Sequence, residues 1–224
     1  GPRSKGFSHE LIPSTFAKFE SAENTVDHLN VWPEDGSKTL QEMFEATAAR
    51  LPDKAFLGTK VKTGVENPPF KYEWISYSES VSIARKLASG MLKLDLVPVV
   101  KDYDKTCMSG RFLGLQAKNR KEWYLTELAN FYSGAATVAL MDTQSPSSTA
   151  YIINQTELTT MALSGERIEA MIKLKETDKE GLMQRLCNIV AFDAVDANVY
   201  ELAKKNGIRI VSFEDVLAAG DASA

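Results

Sequence analysis

Residues 112–141 read FLGLQAKNRKEWYLTELANFYSGAATVALM and predict a strand, a helix and a second strand in immediate succession. Residues 112–117 and 135–141 are continuous apolar runs, which are typical of strands buried on both faces of a parallel sheet. Between them, residues 121–132 repeat apolar side chains at helical spacing. We therefore expect both runs to be central strands with little side-chain exposure.

The same alternation continues toward the C-terminus. Ser145-Pro146 predicts a helix start, because proline at the first helical position lacks only an N–H that the helix does not use. Further strands are predicted at residues 158–163, 188–192 and 208–212, and further helices at 167–175 and 199–206. Strands that alternate with helices indicate an α/β fold with a mainly parallel sheet and helices on both faces.

The N-terminal part is organised differently. Two capping boxes, Thr39 to Glu42 and Ser76 to Glu79, predict helix starts, and a loop rich in glycine and proline separates strand-like runs at 54–60 and 71–77. These two runs predict an antiparallel strand pair. We interpret residues 1–38 as a Gly1-Pro2 remnant of tag removal followed by an N-terminal arm, and residues 39–224 as the folded unit.

The amino-acid composition excludes several classes of protein. The 224 residues are 44% hydrophobic and 25% charged, which predicts a soluble globular protein. A net charge of −4 gives no electrostatic case for nucleic-acid binding. Only two cysteines, Cys107 and Cys187, are present, which excludes a disulfide scaffold and favours an intracellular location, either cytoplasmic or peripheral on a membrane. No apolar run approaches the ~20 residues of a membrane helix.

Familiar catalytic motifs are absent. The sequence contains no G-x-G-x-x-G turn, no Gly-Lys pair of a phosphate loop and no G-x-S-x-G elbow. Its two histidines, His9 and His28, both lie in the arm, which leaves little for a metal site, and Cys107 is interpreted as an ordinary thiol. The residues alone therefore predict no catalytic and no metal-binding side chain.

Polar side chains that follow the predicted strands are the remaining candidates, because open α/β sheets bind ligands beyond the carboxyl ends of their strands. One hypothesis is a ligand cleft formed by Asn119, Asp142 and Thr143. The alternative, which cap preferences favour, is that Asn119 and Asp142 cap the next helices. Arg120 is interpreted as part of an ion-paired face with Glu122 and Glu127.

Aromatic residues cluster on the helix predicted after Arg120. We interpret them as core, and we expect Trp123 and Leu128 to be packed, with a loss of about 3–5 kcal/mol for Trp123→Ala. The aromatic set is Trp123, Tyr124, Phe131 and Tyr132.

Four blocks in consistent order resemble the N-terminal part of long-chain acyl-CoA synthetases, which are adenylate-forming enzymes. The blocks are Tyr72-Glu-Trp-Ile-Ser-Tyr77, Phe112 to Trp123, Val138-Ala-Leu-Met-Asp-Thr143 and Tyr151 to Leu158. Thr39 to Phe44 also fits the opening helix of that family. At Leu140-Met141 the chain departs from the Pro-Leu-Tyr that commonly precedes Asp-Thr in the family.

The resemblance implies that residues 39–224 are the N-terminal subdomain of an AMP-binding domain. It implies that the parent enzyme uses ATP and Mg to convert a fatty acid to an acyl-adenylate and then transfers the acyl group to CoA. The ATP and Mg residues are then expected downstream of Ala224, so this part is expected to be inactive and to bind no cofactor. Membrane association through segments outside it, and self-association, are further hypotheses. A stand-alone flavodoxin-like binding or interaction module remains the alternative.

Overall fold

The computed structural model describes residues 36–64, 66–101 and 109–221. Its N-terminal part contains a hairpin of β1 (Ala55–Lys62) and β2 (Phe70–Ser76), which pair antiparallel with Lys60 opposite Tyr72. The predicted strand pair is therefore confirmed. Cys107 and both histidines lie outside the described residues.

Both predicted capping boxes are present and begin the first two helices, α1 (Leu40–Arg50) and α2 (Tyr77–Lys93). The Thr39 hydroxyl accepts a hydrogen bond from the Glu42 N–H at 3.1 Å, and the Glu42 carboxylate accepts one from the Thr39 N–H at 3.3 Å. Ser76 and Glu79 repeat the arrangement, with the Ser76 N–H donating to the Glu79 carboxylate at 2.7 Å. Each box satisfies N–H groups that the first helical turn leaves unpaired.

The main sheet contains six strands in the described part of the chain. They are β3 (Val99–Val100), β4 (Gly110–Gln116), β5 (Ala135–Ala139), β6 (Thr160–Leu163), β7 (Asn188–Ala191) and β8 (Arg209–Ser212). Between and after them lie α3 (Lys121–Ser133), α4 (Pro146–Gln155), α5 (Gly165–Glu176), α6 (Ala197–Lys205) and α7 (Phe213–Ala219). The short β3 and the helix α7 were not expected from the sequence.

Strand order follows from the pairing of β4. Gly114 pairs in parallel with both Val138 of β5 and Met161 of β6, so these two strands lie on opposite sides of β4. The parallel strands therefore run β5-β4-β6-β7-β8, and β3 joins β4 antiparallel. The mainly parallel sheet and the central position of β4 are confirmed.

The expectation for residues 135–141 is wrong. β5 ends at Ala139 and pairs only with β4 among the described strands, so it is an edge strand rather than a central one. Ala136 and Ala139 are exposed, and Met141 beyond the strand is 67% exposed. The apolar run at residues 135–141 suggests a fully buried strand because it is rich in alanine. Alanine occurs on buried and on exposed faces alike, so the sequence does not show the alternation that is typical of a half-buried strand.

Two hydrophobic clusters cover the two faces of the sheet. Leu113 and Leu115 of β4 point to one face, where they pack with residues of α2, α3 and α7. Met161 and Leu163 of β6 point to the other face, where they pack with residues of α4, α5 and α6. Successive strand residues point to opposite faces, so one sheet fills both clusters. Helices on both faces are confirmed.

Two large apolar side chains of α2 and α3 are exposed, and one of them, Tyr124, belongs to the aromatic set interpreted as core. Leu92 lies in the last turn of α2 and is 43% exposed, and Tyr124 of α3 is 48% exposed. Both sit at the margin of their apolar stripe, where a helix leaves its packing surface.

In the described ranges, none of the helices combines the length and apolar character that crossing a bilayer requires.

Trp123 is partly buried and packs against the cluster formed with α2, α3 and α7, whereas Leu128 is buried at 7% exposure. We therefore expect Trp123→Ala to lower the free energy of unfolding by about 2 kcal/mol, below the range for a fully buried aromatic. Denaturant titration measures this, with the exposed tyrosine variant Tyr151→Ala as the control, for which a loss below about 0.5 kcal/mol is expected. Equal losses in both variants would contradict the packing.

Candidate functional site at the carboxyl edge of the sheet

The carboxyl edge of the sheet comprises the residues that directly follow β4, β5, β6 and β7. Strand order reverses at β4, because β5 lies on one side of it and β6, β7 and β8 lie on the other. Open α/β sheets place their ligand crevice outside the carboxyl ends of the strands at such a switch point. Within the described residues, a ligand site is therefore expected between the ends of β4, β5 and β6.

The structure brings the predicted cleft residues together. Asn119, Asp142 and Thr143 line one open cleft of about 620 Å³ between the ends of β4 and β5. The capping alternative is wrong for both candidates. The N-cap residue of α3 is Arg120, which makes no side-chain cap hydrogen bond, and α4 is capped by Ser145, whose hydroxyl accepts from the Ser148 N–H at 3.1 Å.

Asp142 instead forms an ion pair with the start of α5. Its Oδ1 lies 3.2 Å from Nη2 of Arg167, and both side chains are about one-third exposed. Arg167 also lines a neighbouring cavity of about 470 Å³ with Gln116, Thr149 and Lys173. Sequence reasoning did not select Arg167, because pairing it with Asp142 requires knowing that the ends of β5 and β6 lie near each other.

Gln116, the last residue of β4, fixes the loop that carries Asp142. Its side chain is 6% exposed, and its Nε2 donates a hydrogen bond to the Met141 carbonyl at 3.0 Å. The Ser164 N–H donates to the Gln116 carbonyl at 3.4 Å from the end of β6. Contacts within the chain therefore hold the loops on the β5 side and on the β6 side of the switch point.

Arg120 organises the opposite part of the carboxyl edge. Its Nε lies 2.7 Å from a Glu122 oxygen, its Nη1 lies 2.8 Å from Oδ2 of Asp193, and its Nη2 donates to the Phe192 carbonyl at 3.3 Å. Asp193 Oδ2 also accepts from the Gly165 N–H at 2.8 Å. We call these five residues the Arg120 cluster. It joins the starts of α3 and α5 to the end of β7.

Part of this cluster was predicted. Glu122 is confirmed as a partner of Arg120, but the second carboxylate is Asp193 rather than Glu127. Asp193 directly follows a strand, so the rule that selected Asp142 would also have found it.

Charge pairing sets the ionisation of the cluster. The hydrogen bond from Arg120, helped by the Gly165 N–H, lowers the pKa of Asp193 despite partial burial, which acts in the opposite direction. Burial lowers the pKa of Arg120, but its bonds to Asp193 and Glu122 outweigh burial and raise it. Both groups are therefore charged near neutral pH.

The lowered pKa of Asp193 gives a pH-dependent stability. The contribution is fully present above the ordinary aspartate pKa and is lost as the pH falls through the lower, folded-state value. We expect Asp193→Asn to lower the free energy of unfolding by about 1 kcal/mol at pH 7, since the side chain is 41% exposed and partly screened. The difference from the unmodified chain should shrink below about pH 4. A difference that is constant from pH 7 to pH 3 would contradict it.

For a triphosphate site, the cleft supplies the cation Lys118, but the arginines of the carboxyl edge are already engaged by carboxylates. Such a site needs N–H donors and free cationic groups around the phosphates. Arg120 and Arg167 are already paired with carboxylates, and Asp142, Asp193 and Glu122 place negative charge in the same region. Among the residues that the structure describes, no group of three His, Cys, Asp or Glu side chains is arranged to hold a metal ion. We assign no catalytic residue here.

Sequence comparison identifies relatives along most of the chain. It is 24% identical over 195 residues to fatty acyl-CoA synthetase B of Dictyostelium discoideum, covering 87% of this chain and 26% of the relative. It is 30% identical over 188 residues to long-chain-fatty-acid–CoA ligase 6 of Rattus norvegicus, covering 83% and 24%. The chain thus spans about a quarter of the length of these relatives.

Solved structures share the fold. The adenylation domain of a carboxylate reductase from Mycobacterium chelonae matches with a TM-score of 0.61 at 19% identity, covering 83% of this chain and 29% of that one. A long-chain-fatty-acid–CoA ligase from Archaeoglobus fulgidus matches with a TM-score of 0.55 at 18% identity, covering 86% and 32%. The resemblance to acyl-CoA synthetases is confirmed. Because the profile of AMP-binding enzymes matches residues 44–216, which include every strand of the sheet, the chain belongs to the AMP-binding enzyme family.

Proposed function

We propose that this chain is the N-terminal part of a long-chain fatty-acid–CoA ligase. The whole protein would convert a fatty acid and ATP to an acyl-adenylate and pyrophosphate, and then transfer the acyl group to CoA with release of AMP. The observation that carries this proposal is the match of the AMP-binding enzyme family to residues 44–216. Relatives named as long-chain fatty-acid–CoA ligases support the substrate class.

In this proposal the chain is a scaffold rather than a catalytic unit. The carboxyl edge, where an open sheet would bind its ligand, is held by the Arg120 cluster and by the pair of Asp142 with Arg167. These contacts orient the loops after β4, β5 and β7 and engage both arginines with carboxylates, while Nε of Arg167 has no hydrogen-bond partner among the described residues. We propose that the residues for ATP, Mg and CoA lie outside this chain, downstream of Ala224, and that the chain alone is inactive.

A second candidate is favoured by one observation. The parallel strands, counted from β4, run in the order 2-1-3-4-5, which is the order of flavodoxin-like folds. A stand-alone binding module of that class would use the switch point beside β4. The internally paired arginines at that point argue against an anionic ligand such as a phosphorylated cofactor.

The coding sequence after Ala224 separates the two candidates. A Ser/Thr/Gly-rich loop with a lysine within about 30 residues supports the ligase, because such loops cradle phosphates. The encoded protein should then release pyrophosphate with palmitate and ATP-Mg, and form palmitoyl-CoA when CoA is added. A stop codon shortly after Ala224, or activity with acetate that equals or exceeds activity with palmitate, would contradict the proposal.

A further inference from the structure

The β1–β2 hairpin presents an organised aromatic and basic face. Residues that pair directly across the two strands share a face of the ribbon, and the register places Gly58 opposite Trp74, Lys60 opposite Tyr72 and Lys62 opposite Phe70. We call this set the aromatic face; its six residues are Gly58, Lys60, Lys62, Phe70, Tyr72 and Trp74.

The aromatic face is exposed although its rings are large and apolar. Tyr72 and Trp74 are each 57% exposed and Phe70 is 40% exposed. Residues 70–74 are exposed at every position, so both faces of this part of the ribbon are accessible. Scattered exposed apolar residues are ordinary, but three aromatic rings in a row on one strand form a contiguous patch, which marks an interaction surface.

The rings are held in a defined arrangement. The Trp74 indole lies directly over Gly58, where an added Cβ would come within 2.9 Å of three ring carbons. Tyr72 contacts Trp74 with ring centroids 5.8 Å apart, and the Lys60 ammonium lies 4.1 Å from the centre of the Phe70 ring. Glycine at position 58 is thus required for the indole to lie flat against the neighbouring strand.

Charge on the hairpin differs from charge on the chain. The chain carries −4 overall, but residues 54–76 contain four lysines against two glutamates. The aromatic face includes Lys60 and Lys62 and no acidic side chain. Glu73 points to the other face, where its carboxylate lies 2.9 Å from the Lys71 ammonium. The face therefore combines apolar rings with uncompensated positive charge.

We propose that the aromatic face is a docking surface for an anionic lipid membrane. Tryptophan and tyrosine rings favour the interface of a bilayer, because one end is apolar and the other is polar. Lysines beside them are attracted to anionic headgroups and extend their charged ends toward water. The proposal goes beyond the ligase activity, and in a longer protein it requires that the rest of the chain leaves the aromatic face uncovered.

Vesicle flotation of the 224-residue chain tests this. We expect it to bind vesicles of phosphatidylcholine with phosphatidylserine, to bind pure phosphatidylcholine more weakly, and to be released by 0.5 M salt, which screens the lysines. The double variant Tyr72→Ala/Trp74→Ala should weaken binding at least tenfold. Lys60→Gln/Lys62→Gln should weaken binding to anionic vesicles by about fivefold per lysine and leave binding to neutral vesicles unchanged.

Matched control variants distinguish binding through the aromatic face from non-specific binding through any exposed aromatic ring. Tyr151→Ala/Tyr200→Ala removes two exposed aromatic rings elsewhere, 57% and 42% exposed, and should bind as the unmodified chain does. Gly58→Ala should weaken binding while retaining all three rings and both lysines, since it displaces the indole. The Trp74 emission, measured as the difference from Trp74→Phe, should shift to shorter wavelength with vesicles.

Three results would overturn the proposal. The first is no flotation with either vesicle. The second is equal flotation of the unmodified chain and Tyr72→Ala/Trp74→Ala, each with an unchanged far-UV spectrum. The third is a dimer in gel filtration that the same double variant converts to a monomer, because the face would then bind a second copy of the chain.

Discussion

Gly90→Ala is expected to lower the free energy of unfolding by about 3 kcal/mol and the melting temperature by about 10 °C. Gly90 lies in α2 where this helix meets α7, and a Cβ built on it comes within 1.9 Å of the Val216 carbonyl oxygen. A Cβ built on Gly220, which follows α7, would likewise come within 1.9 Å of the Lys86 carbonyl oxygen of α2. Two glycines thus let the backbones of the two helices touch.

Helix propensity alone predicts the opposite sign. Alanine is favoured over glycine inside a helix by about 0.5–1 kcal/mol, so the steric term must exceed this gain. It does so because the clashing atom belongs to the backbone, which no rotamer change can move away. Thermal melting followed by circular dichroism measures the effect, with Ser82→Ala at an exposed position of α2 as the control, expected within about 0.5 kcal/mol of the unmodified chain. A neutral or stabilising Gly90→Ala would contradict the close contact.

Arg120→Met should lower the free energy of unfolding by about 2–3 kcal/mol. The substitution removes the guanidinium that pairs with Glu122 and Asp193 and leaves both carboxylates without their cation. Loss of one partner of a buried pair costs about 3–5 kcal/mol, and the partial exposure of Asp193 reduces this value. Arg120→Lys should recover only part of it, because lysine cannot present a fork to two carboxylates and a carbonyl.

Arg185→Met provides the control for Arg120. Arg185 pairs with Glu157 at 2.8 Å, but its side chain is 62% exposed, so the expected loss is below about 1 kcal/mol. The double variant Arg120→Met/Asp193→Asn should be less destabilised than the sum of its single variants, since both remove the same bond. Equal losses for Arg120→Met and Arg185→Met in denaturant titration would show that the cluster does not hold the carboxyl edge.

Local features of the fold were accessible from the sequence. A capping box is recognised within four residues of sequence, and the alternation of strands and helices within a few tens of residues. The sequence therefore predicts α1, α2 and the parallel sheet directly. The position of β5 does not follow, because strand order depends on contacts across the whole sheet. An alanine-rich strand such as β5 also lacks the apolar alternation that would mark an exposed face.

The candidate site was accessible only in part. The strand-end rule selected Asp142 and Thr143 and, with Asn119, placed them correctly around one cleft. Their partners were missed because each pair joins distant parts of the chain, such as Arg120 to Asp193 and Arg167 to Asp142. Through these contacts the polar residues of the carboxyl edge are paired with one another. This pairing is the basis for assigning a scaffold role to the chain.

Calorimetric titration of ATP-Mg into the 224-residue chain tests the scaffold role most directly. Electrostatic stabilisation of the transferring group is usually the largest catalytic term, and the carboxyl edge has no free arginine to supply it. We predict no binding tighter than millimolar, and no pyrophosphate release when palmitate and CoA are added at high protein concentration. Micromolar affinity for ATP that Asp142→Ala abolishes would place the nucleotide site within this chain and contradict the account.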